Sequence, residues 1–208
     1  MMESFNSTPG GRLPTTIAPY CGQLTLSGSV VTIGSFDGVH RGHQALLNRV
    51  VSRARTAGVA SVVYTFSQPP KSAFGLAPQL TTLDEKLRRL SHFGVDFVLV
   101  AHFTSEFAGR TPGHFIDELG KLNPEEIWVG GDFRFGKDRA GDIHMIGRYF
   151  NVHVLGEVVC AKGARISSTR LRNLLAQGSY AEAAQLHGWD DSMRTGEEGS
   201  NGSHDIDG

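Results

Sequence analysis

The stretch that decides the fold is SVVTIGSFDGVHRGHQALLNRVVSRA, residues 29–54. Its first five residues form a short apolar run, which is typical of a buried strand. From Leu46 to Ala54 the apolar residues recur at helical spacing, so they share one face of a helix. The turn between them, residues 34–43, contains glycines and polar side chains. This strand–turn–helix unit indicates an α/β fold.

The same alternation continues toward the C-terminus. It predicts further strands at residues 61–66, 95–100, 126–129 and 152–159, and helices beginning after Thr82, after Thr111 and near residues 168 and 179. We therefore predict an α/β fold in three layers, with a mostly parallel sheet flanked by helices.

Polar segments mark both ends of the predicted domain. Residues 1–14 are predicted to be a disordered leader and residues 190–208 a disordered tail, which leaves one domain at residues 15–189. A domain of this size buries a core without disulfide or metal staples. The two cysteines, Cys21 and Cys160, lack the CxxC spacing, which favours reduced thiols and a cytoplasmic location.

The overall charge is nearly balanced, with 20 basic and 21 acidic side chains. A formal net charge of -1 gives no electrostatic reason to expect a nucleic-acid or membrane partner. The polar N-terminus lacks the apolar core of a signal peptide, and no apolar run reaches the roughly 18 residues of a membrane span. We expect small-molecule substrates; the sequence does not identify a protein partner.

The turn at residues 34–43 carries the most distinctive chemistry. His40 and His43 stand at the start of a predicted helix, where free backbone amides and the helix dipole favour an anion. Each neutral imidazole adds one N–H donor, so the turn suits a polyphosphate. Two other interpretations stay open for the pair alone: zinc ligands, although no third Cys or His ligand stands nearby, and incidental polar turn residues.

The ten-residue string GSFDGVHRGH is more specific than the pair, and it resembles the GxFDGxHxGH signature of the bacterial FAD synthetases. Three more segments resemble motifs of that family in the same order: FTSEFA at 103–108, VGGDFRFG at 129–136 and ISSTRLR at 166–172. The resemblance implies a Rossmann-like nucleotidyltransferase fold. It also implies transfer of AMP from ATP to FMN, with FAD and pyrophosphate as products.

The resemblance also assigns residues. The catalytic set would be His40, His43, Ser168, Thr169 and Arg172. The same five residues would contact ATP, together with Gly34, Phe36, Asp37 and Gly42. Phe66, Asp132 and Phe133 would lie on the flavin side. Mg²⁺ would arrive mainly on the ATP phosphates, so no metal ligands are assigned to the protein. Arg170 falls at a variable position of the motif and is expected to be solvated or a secondary contact.

Two readings of single motifs compete with these roles. Ser168 and Thr169 also suit a plain helix cap. Residues 131–138, GDFRFGKD, nearly match a P-loop, but Asp138 stands where a hydroxyl should bind magnesium and would repel phosphate.

The chain also departs from the family pattern in two places. Residues 66–70 read FSQPP where the family has Phe-x-Pro-x-Pro. The family usually carries a riboflavin kinase barrel, whereas about 20 residues follow Gly188 here, so we expect no kinase activity. The alternatives are a nucleotidyltransferase acting on another small phosphate and a catalytically weak flavin- or nucleotide-binding protein.

Overall fold

The computed structural model describes residues 3–5, 14–20 and 24–189. Its strands are β1 (Glu3–Phe5), β2 (Thr15–Pro19), β3 (Ser29–Ile33), β4 (Ala60–Phe66), β5 (Phe97–Ala101), β6 (Pro124–Gly130) and β7 (Val152–Leu155). Its α-helices are α1 (Arg41–Ala57), α2 (Pro70–Ala73), α3 (Leu83–His92), α4 (Ser105–Ala108), α5 (Pro112–Gly120), α6 (Ile143–Ile146), α7 (Ser168–Ala176) and α8 (Tyr180–His187). A 3₁₀ turn spans Lys137–Arg139.

The strands form one sheet in the order β1-β2-β5-β4-β3-β6-β7. Only the β1–β2 pair is antiparallel, which confirms the predicted α/β fold with a mostly parallel sheet. The chain leaves β3 toward β4 and β5 on one side, and later returns to β6 and β7 on the other. The loops after β3 and β6 therefore diverge at a topological switch point, where sheets of this kind bind ligands.

Apolar clusters cover both faces of the sheet. On one face Leu47 and Leu90, from α1 and α3, pack with Val63 and Val98 of the sheet. On the other face α5 contributes its own apolar residues to a cluster that includes Val31, Ile33, Val62, Tyr64, Phe115, Leu119, Ile127 and Val129. Because the inner strands are covered on both sides, they are apolar at nearly every position, as the SVVTI run of β3 indicated.

The predicted helix boundaries follow the capping chemistry. The hydroxyl of Thr82 accepts a hydrogen bond from the Glu85 amide at the start of α3, and Thr111 does the same for His114 at α5. Gly58 ends α1 in the left-handed region, with φ of 71°.

Sequence reasoning missed or misplaced several segments, among them the short helices α2, α4 and α6. The sequence predicted a strand at 152–159, but β7 ends at Leu155. Beyond Leu155, the Ile166 amide donates to the Val158 carbonyl and the Cys160 amide donates to the Ala164 carbonyl. This part of the chain therefore pairs with itself outside the sheet. β1 and β2 were not predicted. The predicted leader and tail fall mostly outside the described residues, and the described part of the leader includes β1.

The core should respond strongly to loss of volume at Leu47, which is fully buried between α1 and the sheet. Leu47→Ala should lower the free energy of unfolding by about 2–5 kcal/mol, because it removes buried methyl groups and leaves a cavity. Denaturant unfolding measures this change. Leu175→Ala on α7, where the side chain is 40% exposed, is the matched control and should cost less than about 1 kcal/mol. Equal losses in both variants would contradict this packing.

Candidate active site

The turn between β3 and α1 has a strained backbone. Phe36 and Val39 adopt φ of 48° and 43°, and Gly38 between them adopts 82°. Positive φ is rare outside glycine and unfavourable for a β-branched residue such as Val39. Both side chains are fully buried, so packing holds the turn in this conformation. Strain of this kind persists only where the surroundings over-determine it, and it is common at functional sites.

His40 and His43 form one stacked unit at the end of this turn. Their rings lie 3.7 Å apart and nearly parallel, with 14° between their planes. His40 caps α1, since its Nδ1 accepts a hydrogen bond from the His43 amide at 3.3 Å. Because Nδ1 is the acceptor, the proton of the neutral ring is on Nε2. A Cβ added at Gly42 would lie 3.2 Å from the His40 ring, so glycine leaves room for the imidazole.

Both histidines are neutral near pH 7. Burial, with smaller contributions from the fields of His187, Arg165 and Arg172, lowers the pKa of His40 to about 4. Burial also lowers the pKa of His43 well below its usual value, with His40 and Lys86 acting in the same direction. The pair therefore offers N–H donors to an anion and carries no fixed positive charge.

Asp37 connects the turn to two other segments. Its carboxylate is buried and pairs with Arg172 Nη2 at 2.5 Å. It also accepts hydrogen bonds from the amides of Leu80 and Thr81, at 3.0 and 3.4 Å. Arg172 Nε donates to the Pro78 carbonyl at 2.8 Å. The Asp37 side chain is thus enclosed by protein, as is that of Phe36, so a ligand would meet these residues through their backbone.

The N-terminus of α7 lies against the same turn. Ser167 caps this helix by accepting from the Arg170 amide at 3.3 Å, so the prediction of Ser168 or Thr169 as the cap is wrong. Ser168 is free for another role, and its hydroxyl donates to the Asp37 carbonyl at 3.0 Å. Thr169 is exposed in the first turn of α7.

Protein groups hold the Arg170 guanidinium, which corrects the expectation that it is simply solvated. Its Nη1 donates to the carbonyls of Ala164 and Arg165 and contacts Cys160 Sγ at 3.3 Å. Its Nη2 pairs with Glu182 of α8 at 2.8 Å. The guanidinium therefore joins the loop before α7 to α8, and its hydrogen bond lowers the pKa of the Cys160 thiol to about 7.

Two basic residues of the site were missed by sequence reasoning. Arg165, next to the ISSTRLR motif, pairs with Asp132 at 3.2 Å and Glu157 at 3.5 Å, and its field reaches His40. Lys86 is buried beneath the turn and donates to the carbonyls of Ser35 and Phe66. Burial lowers the pKa of Lys86 to about 8. Helical spacing puts Lys86 on the same side of α3 as Leu83 and Leu90, and the structure shows that this side is buried.

Comparison with known protein families shows which family this chain belongs to. A family model described as FAD synthetase matches residues 23–170, most of the described chain. The chain belongs to the FAD synthetase family. The matched range contains the paired histidines, the loop after β6 and the Ser167 cap of α7.

Curated relatives agree with this assignment to the FAD synthetase family. A putative bifunctional riboflavin kinase/FMN adenylyltransferase from Geobacillus thermodenitrificans is 50% identical over 166 residues, which cover 80% of this chain and 93% of the relative. The bifunctional enzyme of Escherichia coli K12 is 40% identical, and the match covers 80% of this chain and 56% of that protein. A FAD synthetase from Listeria monocytogenes is 35% identical and is matched over 70% of its length.

Solved structures show the same fold. A crystal structure described as a macrolide-efflux protein from Streptococcus pneumoniae superposes with a TM-score of 0.73 at 33% identity, covering 83% of this chain and 70% of that one. Pantoate-beta-alanine ligase from Francisella tularensis has a TM-score of 0.50 at 16% identity and shares the fold alone. Among the described residues, no helix is long and apolar enough to cross a membrane.

The residues predicted on the flavin side lie in two aromatic groups of this FAD synthetase fold. At the end of β4, Phe66 packs edge-on against Phe103 and Phe107, at centroid distances of 5.3 and 5.6 Å. After β6, Phe133 stacks on Phe135 at 5.5 Å. Asp132 is exposed beside them and is held by Arg165. In the described part of the chain, no group of three or more His, Cys, Asp or Glu residues could hold a metal ion.

The buried neutral histidines should make the protein sensitive to acid. His40 binds protons with its usual pKa of about 6.5 when unfolded and about 4 when folded, so stability falls as the pH drops through that window. From pH 7 to pH 5 the loss due to His40 should be on the order of 1–2 kcal/mol.

His40→Asn keeps an N-cap acceptor but removes this titration, so the free energy of unfolding should fall less between the two pH values. Denaturant unfolding at both pH values measures the difference. His144→Asn, at an exposed histidine, is the control and should retain the full pH dependence. The same pH dependence in His40→Asn as in the unmodified chain would contradict a buried neutral His40.

Proposed function

We propose that this chain transfers AMP from ATP to FMN, forming FAD and releasing pyrophosphate. The observation that carries this proposal is the stacked neutral pair, His40 and His43, at the N-terminus of α1 beyond the carboxyl end of β3. Its N–H donors and the helix dipole favour a polyphosphate. Membership of the FAD synthetase family indicates that FMN is the acceptor of the AMP group.

The reaction needs no general base from the protein. The second pKa of a phosphate monoester is about 6, so the FMN phosphate is largely dianionic at pH 7. One of its oxygens attacks the α-phosphorus of ATP, a new P–O bond forms, and the bond to the leaving pyrophosphate breaks. A histidine with a pKa of about 4 is a poor base but a good neutral donor, which suits this chemistry.

The protein would act by positioning and by stabilising charge. His40 Nε2–H and the His43 ring would donate to the ATP phosphates as negative charge shifts toward the leaving group. Gly34 and Gly42 would let the nucleotide approach the backbone, and Phe36 and Asp37 would contribute backbone contacts only. Mg²⁺ would arrive with ATP, since it keeps its waters and binds substrate oxygens.

The leaving pyrophosphate would lie at the start of α7. Ser168 and Thr169 stand in the first turn of that helix, where the dipole favours anions. Arg172 would contribute Nη1, because Asp37 and Pro78 engage its other two nitrogens. We add Arg165 to this set on the basis of its field at His40.

The flavin ring would lie among the aromatic side chains that follow β4 and β6. Phe66 and Phe133 supply apolar ring faces there. Asp132, paired with Arg165, would hold that arginine in place beside the reacting phosphates. We place the reaction in the cytoplasm, where the two cysteines would stay reduced.

A flavin assay with FMN and MgATP tests the proposal directly. FAD and pyrophosphate should form in equal amounts, and replacing FMN with another small phosphate should give no adduct. With riboflavin and MgATP, this chain should form no FMN, because riboflavin offers a neutral hydroxyl that needs a general base, and a buried histidine with a pKa of about 4 is a poor one. FMN formation in proportion to this protein would overturn that half of the prediction, and binding of FMN without turnover would indicate a binding protein.

Removal of either histidine donor should lower turnover more than FMN binding. His40→Ala and His43→Ala should each reduce kcat by about 10²–10³-fold, the usual cost of one donor to developing charge. The Kd for FMN should change little, because neither ring lies among the proposed flavin contacts. Steady-state kinetics and flavin titration measure the two effects, with His144→Ala as the exposed control. Near-normal kcat in both variants would contradict the assigned roles.

A further inference from the structure

The end of α8 contacts the strained turn directly. The indole Nε1 of Trp189 donates to the Val39 carbonyl at 2.8 Å. Arg89 of α3 donates from Nη1 to the Gly38 carbonyl at 2.9 Å, and His187 Nε2 lies 2.7 Å from the same oxygen. We call Arg89, His187 and Trp189 the carbonyl clasp.

The clasp is itself tightly packed. Arg89 lies over the Trp189 ring, 5.1 Å from its centroid, and Phe93 meets that ring edge-on at 6.0 Å. Gln44 of α1 donates to both the Val39 and the His187 carbonyls, at 3.0 and 2.9 Å. The chain immediately after α8 is thereby fixed to the first turn of α1 and to the residues before it.

The two carbonyls held by the clasp belong to Gly38 and Val39, whose backbone conformation defines the turn. Gly38 and Val39 both have positive φ, and Val39 pays a steric penalty for it. The next residue is His40, whose ring caps α1 and stacks on His43. A rotation of the 38–40 backbone would therefore move the Nε2–H donor of His40 away from its target.

We propose that Trp189, with Arg89 and His187, is a positioning residue for adenylyl transfer: the carbonyl clasp holds the strained turn so that His40 and His43 face the phosphates. This proposal rests on the proposed function. It assigns a role to the segment after α8, which sequence reasoning regarded only as the boundary of the domain.

Charged and titratable groups face His40 from several elements. They are His43 on α1, which stacks on the His40 ring, together with His187 at the end of α8, Arg165 before α7 and Arg172 within α7. Release of the turn would expose the His40 ring to water and move it relative to these charges. The pKa of His40 therefore reports the position of the turn without reference to catalysis.

Trp189→Phe tests the clasp with a small change. It removes the N–H donor and keeps an aromatic ring beneath Arg89. Trp128→Phe is the matched control, since Trp128 of β6 also donates from Nε1 to a protein acceptor, Glu126, and also lies beneath an arginine, Arg49 at 5.3 Å. The two are the chain's only tryptophans, and Trp128 has no contact with the turn among the interactions described above.

Three measurements separate positioning from stability: steady-state kinetics for ATP and FMN, thermal unfolding, and the His40 pKa from NMR titration. Trp189→Phe should lower kcat by about 10- to 100-fold, because small misplacements of catalytic groups have large rate effects. The KM for ATP should change by less than about threefold, since the loss falls on the reacting geometry. The His40 pKa should rise toward its usual value. Trp128→Phe should match Trp189→Phe in thermal unfolding while keeping kcat and the His40 pKa.

Each contrary result overturns the proposal. Equal kcat in the two variants would show that the carbonyl clasp contributes only packing. A kcat loss in Trp189→Phe that is fully explained by its loss of thermal stability would show the same. If the unmodified chain forms no FAD, the proposed function fails, and the His40 pKa alone then decides the clasp. An unchanged His40 pKa in Trp189→Phe would show that the indole N–H does not hold the turn.

Discussion

The buried ion pair between Asp37 and Arg172 is the interaction on which the rest of the site depends. It joins the turn after β3 to α7, two segments that lie 135 residues apart in the chain. Loss of one partner in such a pair typically costs about 3–5 kcal/mol, because an uncompensated charge stays buried. The pair therefore brings the two halves of the site together and also gives the strained turn a fixed support.

The electrostatics of the site follow from this burial. Enclosing the turn removes water from His40 and His43 and lowers their pKa values, so both rings stay neutral. Neutral donors suit a reaction whose nucleophile is already an anion, because no group has to accept a proton from it. The positive charge is held slightly further out, on Arg165 and Arg172, and below the turn on Lys86.

The glycines and the strained residues of the turn together shape the backbone that carries His40. Gly42 leaves room for the His40 ring, and Gly38 permits a backbone path that closes on Thr81 through its amide. Val39 and Phe36 also adopt positive φ, although they lack the conformational freedom of glycine. Their side chains are buried in the core, which holds them in this conformation. Phe36 and Val39 thus place backbone strain within a few residues of the proposed chemistry. Asn123, Asp138 and Arg139 are the other described non-glycine residues with positive φ.

The sequence by itself determined the fold class and indicated where the proposed site lies. The period of the apolar residues predicted β3, α1 and the alternation after them, because burial on one face of a helix or on both faces of a strand leaves a direct pattern. The resemblance of the motifs around His40, His43 and Ser168 to those of the FAD synthetases implied that these segments would meet, and the structure brings Ser168 against the turn. Only the tertiary structure decided which groups these side chains meet. Arg170 pairs with Glu182, and the Asp37 carboxylate is enclosed by protein. Lys86 is buried, and Trp189 donates to the Val39 carbonyl. These contacts join residues between 12 and 150 positions apart, and local patterns of polarity carry no information about which distant group a side chain will meet.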